Sequence, residues 1–230
     1  MTIAATTKLV ALLGRPVAHS LSPAMQNAAF AARGLDLSYV ALDVPREQLE
    51  DAVRGLVALG FVGANVTAPH KLAVGALDLV ETDLASVNTL LFRDGRVEGT
   101  STDAAILGGL TAERPMILGD GGSARAFAEA LPQARRFARR GEWPPDVREA
   151  DLVVNATSER NEVLVGLGEG QTLVDLPYPE TATAAAAHAA GAQVVGGLEV
   201  LVAQGAESFR LWTGLAPPVS VMRAAVDLAG

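Results

Sequence analysis

Short apolar runs alternate with helix-length segments along the whole chain. The apolar runs predict strands at residues 8–13, 38–42, 62–66, 87–92, 96–99, 115–118, 134–140, 151–156, 172–176 and 193–197. The longer segments predict helices at residues 23–33, 46–59, 67–77, 105–110, 123–131, 183–190, 201–212 and 219–228. The dipeptide Asp94-Gly95 favours a tight hairpin turn between two of the strands. Strands that alternate with helices predict an α/β protein with mainly parallel sheets.

A glycine-rich segment lies between the predicted strand 115–118 and the helix that follows it. It fits the pattern G-x-G-x-x-G/A with Gly119, Asp120, Gly121, Gly122, Ser123 and Ala124. Glycines at such a turn let backbone N–H groups approach a pyrophosphate at the helix N-terminus. The segment therefore predicts a dinucleotide site, with a plain strand-to-helix turn as the alternative. Asp120 is unexpected there, because a carboxylate repels phosphate unless it points away.

The end of the next predicted strand, residues 134–140, indicates which dinucleotide is bound. An acidic residue at this place binds the ribose 2′-hydroxyl of NAD, whereas arginine accommodates the 2′-phosphate of NADP. The strand ends in Arg139 and Arg140, with no carboxylate before Glu142. The pattern favours NADP, and a solvated basic strand edge is the alternative.

Composition excludes several other classes of protein. The formal charge of −8 argues against a nucleic-acid-binding protein. The chain has no cysteine and only three scattered histidines, His19, His70 and His188, so we expect no disulfide, thiolate nucleophile or metal site. No apolar run reaches the ~18 residues of a membrane span, and the N-terminus does not resemble a signal peptide. We expect a cytoplasmic protein without a membrane partner.

Several longer motifs resemble the shikimate dehydrogenase family over nearly the whole chain. In the first half they are GRPVAHSLSPAMQN (14–27), GANVTAPHK (63–71), SVNTLL (86–91) and GTSTD (99–103). In the second half they are LGDGGSARA (118–126), VVNATS (153–158), DLPYPET (175–181) and GLEVLVAQGAESFRLWTG (197–214). The order and number of these motifs make the resemblance specific.

The resemblance implies two α/β domains with a cleft between them. A substrate-binding domain would comprise residues 1–104, completed by helices within 203–230, and a Rossmann-like NADP-binding domain would comprise residues 105–202. It implies reversible reduction of 3-dehydroshikimate to shikimate with NADPH, in the shikimate pathway of aromatic amino-acid biosynthesis. We expect a monomer or a homodimer with a small-molecule substrate as its partner.

The resemblance also assigns roles to individual residues. Lys71 and Asp103 match the catalytic pair, and we expect them within hydrogen-bond or one-water reach of each other. The matched substrate-binding residues are Ser20, Ser22, Asn65, Thr67, Asn88, Tyr178 and Gln204. Besides the glycine loop and the two arginines, the matched cofactor-binding residues are Asn155, Ala156, Thr157 and Gly197. A ketone reduction leaves an alkoxide that must be protonated, and a lysine oriented by a carboxylate can do this.

The chain also departs from the family pattern. Gln26, Ser101, Asp120 and Val200 stand where the family usually has histidine, asparagine, alanine and methionine, and Arg139-Arg140-Gly141 stands where it has Asn-Arg-Thr. Only residues 141–150 separate Arg140 from the next strand, and a parallel crossover needs a dozen residues or more. We therefore expect a reduced cofactor sheet that lacks one helix and one strand.

Three interpretations follow from the sequence. The first is a compact shikimate dehydrogenase. The second is a protein that binds shikimate or quinate but has weak or no NADP binding, which the short 141–150 segment favours. The third is a quinate/shikimate dehydrogenase that uses NAD. Lys71 and Asp103 favour the two enzymes, because binding alone does not require them.

Overall fold

The computed structural model describes residues 3–227, which form two α/β units. The first unit combines the chain up to Thr102 with the part from Val202 onward, and the second extends from Asp103 to Leu201. We call them unit one and unit two. None of the helices in the described range is long and apolar enough to span a membrane.

The described elements alternate as predicted for an α/β protein. The strands are β1 (Lys8–Gly14), β2 (Leu37–Asp43), β3 (Gly63–Val66), β4 (Val80–Glu81), β5 (Thr89–Arg93), β6 (Arg96–Thr100), β7 (Pro115–Leu118), β8 (Arg135–Phe137), β9 (Leu152–Asn155), β10 (Thr172–Asp175) and β11 (Gln193–Val195). The α-helices are α1 (Ser22–Ala32), α2 (Leu49–Ala58), α3 (Lys71–Gly75), α4 (Gly122–Ala130), α5 (Ala182–Ala189), α6 (Gly197–Thr213) and α7 (Val219–Asp227). The α/β fold class is confirmed.

Unit one contains a mixed sheet in the order β2-β1-β3-β5-β6-β4. Strand β1 pairs in parallel with β2 and β3, whereas β5 is antiparallel to both β3 and β6. The predicted β5–β6 hairpin is confirmed, with Asp94 at φ 50° and Gly95 at φ 77° in its turn. Both values match the turn that suits the right-handed twist of the strands.

The C-terminal part of α6 is attached to the sheet of unit one by hydrogen bonds. The indole Nε1 of Trp212 donates to the carbonyl of Leu90 at 3.0 Å. The guanidinium of Arg93 donates to the carbonyl of Leu211 at 3.1 Å. Residues distant in sequence therefore complete this unit.

Unit two contains a parallel five-stranded sheet in the order β11-β10-β9-β7-β8. Residues 138–151, all of which are described, contain no helix or strand. The predicted reduced sheet is therefore confirmed. Val147 and Ala150 are buried in the apolar cluster on one face of the sheet, and Trp143 packs against that cluster. A short irregular segment thus covers apolar surface where a crossover helix would otherwise pack.

Several predicted boundaries are wrong. Strand β8 ends at Phe137 instead of residue 140, because only β7 pairs with it, over residues 116–118. Arg139 and Arg140 consequently lie in the turn after the strand. The predicted helix 105–110 is a 3-10 helix, Asp103–Gly109, and the predicted strand 193–197 ends two residues early because α6 begins at Gly197.

Further differences concern the helices and one strand. The predicted helix 46–59 consists of a 3-10 turn, Arg46–Gln48, followed by α2, and the helix predicted over 67–77 forms only over Lys71–Gly75. The short strand β4 was not predicted. The last residue of the predicted helix 219–228 lies outside the described residues.

Candidate active-site residues in the two units

The glycine loop connects β7 to α4 and is held between the ends of two neighbouring strands. The N–H of Gly119 donates to the carbonyl of Phe137 at 2.8 Å, and the N–H of Ala156 donates to the carbonyl of Leu118 at 2.9 Å. Gly119 has φ 122°, and a Cβ there would lie 2.9 Å from the carbonyl oxygen of Ala156. Only glycine combines this backbone angle with such a close approach.

A pocket of about 620 Å³ lies beside this loop, near the carboxyl ends of β7, β8 and β9. Its lining residues are Gly119, Asp120, Gly121, Ala138, Arg139, Arg140, Trp143, Ala156, Thr157, Ser158 and Glu159. Ligands of parallel α/β sheets bind at this edge, beyond the carboxyl ends of the strands. The pocket therefore lies where a dinucleotide site is expected.

Not every predicted cofactor residue lines this pocket. Gly122, Ser123 and Ala124 belong to the first turn of α4 and do not line it. Asn155 is fully buried. Gly197 lines a separate pocket of about 250 Å³ in unit two, together with Tyr178 and Asp175.

Arg139 has two carboxylate partners at the pocket. Its guanidinium lies 3.3 Å from a carboxylate oxygen of Glu159 and 3.2 Å from one of Glu162. The same guanidinium lies 5.8 Å from the ring centroid of Trp143, within cation–π range. Trp143 and Glu159, which also line the pocket, were not predicted, because no sequence motif places them next to the glycine loop.

Glu159 is itself fixed by its own loop. Its carboxylate accepts hydrogen bonds from the backbone N–H groups of Arg160 and Asn161, both at 2.9 Å. The N–H of Asn161 contributes most to lowering the pKa of the Glu159 carboxyl, and the charge of Arg139 adds to this effect. An ionised carboxylate is thus built into the wall of the pocket.

Asn155 does not line the pocket, but its side chain holds Thr157, which does. Its amide donates to Asp175 at 2.6 Å, and its carbonyl oxygen accepts the hydroxyl of Thr157 at 2.8 Å and the N–H of the same threonine at 3.1 Å. Asp175 also accepts the hydroxyl of Thr181, the N-cap of α5, at 2.8 Å. Burial raises the pKa of Asp175, and these hydrogen bonds oppose the rise.

In unit one, the predicted substrate residue Asn65 belongs to a buried hydrogen-bond network. Its carbonyl oxygen accepts the hydroxyl of Tyr39 at 2.8 Å. Its amide lies within 3.1 Å of three acceptors, the Asn88 carbonyl and the hydroxyls of Thr89 and Ser208. Because an amide has only two protons to donate, a ligand that accepts from Asn65 would replace one of these partners.

The network continues through the other side chains of the cluster. The carbonyl oxygen of Asn88 accepts the N–H of Thr102 at 2.8 Å and the hydroxyl of Thr89 at 2.9 Å. The Ser208 hydroxyl lies 3.0 Å from the hydroxyl of Thr89 and donates to the Gln204 carbonyl at 3.0 Å. Helix α6 thus contributes Ser208 to the polar cluster. The sequence did not predict a role for this serine.

Ser20, Ser22 and Tyr39 lie at the start of α1 and on the neighbouring strand. The N–H of Ser22 donates to the Ser20 hydroxyl oxygen at 3.2 Å. Burial raises the pKa of Tyr39, and a hydrogen bond with Ser22 only partly offsets that rise. Tyr39 is therefore a neutral phenol that links Ser22 to Asn65.

Lys71 is the first residue of α3 and is partly buried. Its carbonyl accepts the N–H of Val87 at 3.0 Å, and the carbonyl of the nearby Thr67 accepts the N–H of His70 at 2.9 Å. Asp103 is buried and begins the 3-10 helix of unit two. Lys71 and Asp103 belong to different units, and their pairing stays a prediction.

Gln26 shows what one departure from the family pattern does. It is fully buried in α1, and its amide donates to the carbonyl of Gly205 in α6 at 2.9 Å. Its carbonyl oxygen is buried without a hydrogen-bond partner, as is the hydroxyl of Ser101. Val200, a further departure, is packed in an apolar cluster of unit two.

Comparison with known proteins gives matches over the whole chain. Residues 12–90 match the model of the shikimate dehydrogenase substrate binding domain, and residues 197–226 match that of the shikimate 5′-dehydrogenase C-terminal domain. The chain is 39% identical to the shikimate dehydrogenase (NADP(+)) of Methanopyrus kandleri, with 98% of this chain and 97% of that protein covered.

Solved structures agree with this likeness. The chain has a TM-score of 0.86 and 32% identity to a shikimate dehydrogenase in complex with NADP+, covering 100% of this chain and 98% of that one. It has a TM-score of 0.83 and 36% identity to the Thermus thermophilus shikimate 5-dehydrogenase in complex with NADP(H) and shikimate, covering 97% of this chain and 100% of that one.

Proposed function

Because this chain belongs to the shikimate dehydrogenase family, we propose that it catalyses the reversible NADPH-dependent reduction of 3-dehydroshikimate to shikimate. The observation that carries the proposal is the likeness of both units, in one alignment, to enzymes of this name. Because the reaction consumes NADPH, an intracellular cofactor, we propose that the protein acts in the cytoplasm.

The residues of unit two support a site for NADP. The glycine loop contributes Gly119 and Gly121 to the wall of the pocket, and Arg139 and Arg140 line the same pocket. Guanidinium groups bind phosphate through two parallel hydrogen bonds. When bound, NADPH supplies the hydride for the reduction. The residues that we assign to its binding are Gly119, Asp120, Gly121, Gly122, Ser123, Ala124, Arg139, Arg140, Asn155, Ala156, Thr157 and Gly197.

The residues of unit one support a site for a small hydroxylated acid. Hydroxyl and amide groups hold such a ring by hydrogen bonds without a net charge, and a site built this way rejects analogues that leave its polar groups unpaired. We assign Ser20 and Ser22 to the substrate carboxylate. The ring hydroxyls are assigned to Asn65, Thr67, Asn88 and Gln204, with Tyr178 contributed by unit two.

Lys71 and Asp103 carry the proton transfer in this proposal. The ammonium group of Lys71 donates a proton to the oxygen that becomes negative when the ketone is reduced. In the reverse direction the neutral amine accepts a proton from the hydroxyl. The carboxylate of Asp103 orients the lysine and stabilises its charged form.

One assay tests the proposal. Purified protein is given NADPH and 3-dehydroshikimate, and the loss of absorbance of NADPH is followed; NADH, shikimate and quinate are then tested in turn. Rapid oxidation of NADPH with 3-dehydroshikimate is the expected result. Shikimate binding without turnover would instead support the binding-protein interpretation, which the reduced sheet of unit two favours. Faster turnover of quinate with NAD would support the third interpretation.

A further inference from the structure

The pocket of unit two carries carboxylates as well as arginines. Asp120 and Glu159 line it together with Arg139 and Arg140, so the formal charges of these four side chains cancel. A second carboxylate, that of Glu162, contacts Arg139 at 3.2 Å. The 2′-phosphate of NADP would therefore meet cations that are already partly neutralised.

The carboxylates hold Arg139 from one side while an aromatic ring lies within reach of it. Both ion pairs involve the same guanidinium nitrogen, Nη2, at 3.3 Å for Glu159 and 3.2 Å for Glu162. The ring of Trp143, whose centroid is 5.8 Å away, further restricts the guanidinium. A phosphate that takes the place of the carboxylates must break two charged contacts.

The two carboxylates differ in how firmly they are held. Glu159 accepts two backbone hydrogen bonds, its side chain is only 26% exposed, and its pKa is lowered mainly by the N–H of Asn161. Glu162 is 66% exposed. Glu159 therefore remains ionised in the pocket wall at neutral pH, whereas Glu162 can move into solvent when a ligand arrives.

We propose that Glu159 and Glu162 form an acidic lock on Arg139 that reduces the preference of this pocket for NADP over NAD. This inference rests on the proposed function. NADP has a phosphate where NAD has a hydroxyl, and a carboxylate repels the phosphate but accepts a hydrogen bond from the hydroxyl. The lock therefore weakens NADP binding and leaves NAD binding unchanged or stronger.

The test compares the dissociation constants of NADP and NAD, measured by titration calorimetry on the full chain. Glu162→Gln should tighten NADP binding by about two- to fivefold, the range for one partly exposed charge pair. Glu159→Gln should tighten it by about tenfold, because a less exposed charge close to a phosphate is screened less. Neither substitution should tighten NAD binding.

A matched control separates the lock from a general change in charge. Glu142 is in the same unit, its side chain is 65% exposed, and it lies 3.9 Å from Arg135, which does not line the pocket. Glu142→Gln removes the same charge as Glu162→Gln and should leave both affinities unchanged. In an Arg139→Ala background, Glu162→Gln should lose most of its effect on NADP.

Each outcome decides the proposal. If both glutamine variants bind NADP as weakly as the wild type, or more weakly, the carboxylates merely orient Arg139 and the lock is refuted. That result leaves the proposed function intact if the wild type still reduces 3-dehydroshikimate. If the wild type binds neither cofactor, the proposed function fails. In that case the double variant, with Glu159→Gln and Glu162→Gln, decides whether the lock exists. A gain of NADP binding by this variant supports the lock, and no gain refutes it.

Discussion

The two units differ in how a segment outside the strands is fixed to the sheet: helix α6 through buried hydrogen bonds in unit one, and residues 143–150 through apolar packing in unit two. In unit one, a buried network links Tyr39, Asn65 and Ser208, which come from strands β2 and β3 and from helix α6. In unit two, residues 138–151 between β8 and β9 contain no helix or strand, and this irregular segment covers apolar surface of the sheet. A buried hydrogen-bond network tolerates few substitutions, because each polar group in it needs its partner. Apolar surface, in contrast, can be covered by segments of different backbone conformation.

The same contrast holds for charge. The polar network of unit one consists of neutral amide and hydroxyl groups, while the pocket of unit two is lined by two arginines and two carboxylates. Neutral groups orient a ligand by geometry, and charged groups discriminate by repulsion as well as attraction. Substitutions in the polar network of unit one should therefore affect substrate chemistry and stability, and substitutions of the charged residues that line the pocket of unit two should affect the choice of cofactor.

The largest effect should come from the proposed acid. Lys71→Ala should lower turnover by roughly 10²–10⁴, the usual contribution of a positioned acid or base, with a smaller effect on shikimate affinity. Steady-state kinetics and calorimetry measure the two quantities. The chain has one other lysine, Lys8, and Lys8→Ala serves as the control. If Lys71→Ala weakened binding but left turnover intact, Lys71 would be a substrate anchor and another group would supply the proton.

Removing one side chain from the polar network of unit one should lower the stability of the fold. Asn65→Ala leaves the buried hydroxyl of Tyr39 without its acceptor and should lower the free energy of unfolding by about 1–3 kcal/mol. Urea denaturation measures the change. Asn161→Ala, at an exposed position of unit two, should have almost no effect. An equal loss in both variants would show that the network adds nothing specific to unit one.

Two glycines of the glycine loop in unit two allow a matched pair of substitutions, because Gly119 is in close contact with Ala156 and Gly121 is not. Gly119→Ala places a side chain at φ 122° and 2.9 Å from the Ala156 carbonyl oxygen, and should destabilise the protein by about 1–2 kcal/mol. Gly121→Ala introduces a Cβ with no atom within 4 Å and should be nearly neutral. Thermal unfolding compares the two. Equal melting temperatures would mean that the loop is free to rearrange.

The smallest effect should be a pH dependence. Since burial raises the pKa of Asp175 above its ordinary value of 3.8, the folded protein keeps this proton to a higher pH than the unfolded chain does. The stabilisation is complete below 3.8 and is lost as the pH rises through the raised folded value. Wild-type stability relative to Asp175→Asn should therefore fall as the pH rises above the ordinary value of 3.8 and should level off once the pH has passed the raised folded value. A difference that grows with pH would mean that hydrogen bonds from Asn155 and Thr181 outweigh the burial.

Local features were predictable where neighbouring residues decide the structure. Asp94-Gly95 favours one kind of turn whatever surrounds it, and the hairpin forms there. The missing crossover was also predictable, because ten residues are too few for a helix and a strand. The glycine pattern, placed between an apolar strand and a helix, predicted a dinucleotide site at residues 119–124, and Gly119 and Gly121 of this segment line a pocket.

Other features depend on residues that meet only in the folded chain. Strand β8 stops at Phe137 because its one partner, β7, offers no further pairing, and no local signal marks that end. Ser208 reaches Asn65 across 143 positions, and Glu162 reaches Arg139 across 23. The sequence by itself determined the fold class, the family and the shortened sheet, since these follow from periodicity, motif order and segment length. Only the tertiary structure decided which polar groups saturate Asn65 and which carboxylates hold Arg139, because hydrogen bonds and ion pairs depend on distances that packing alone sets.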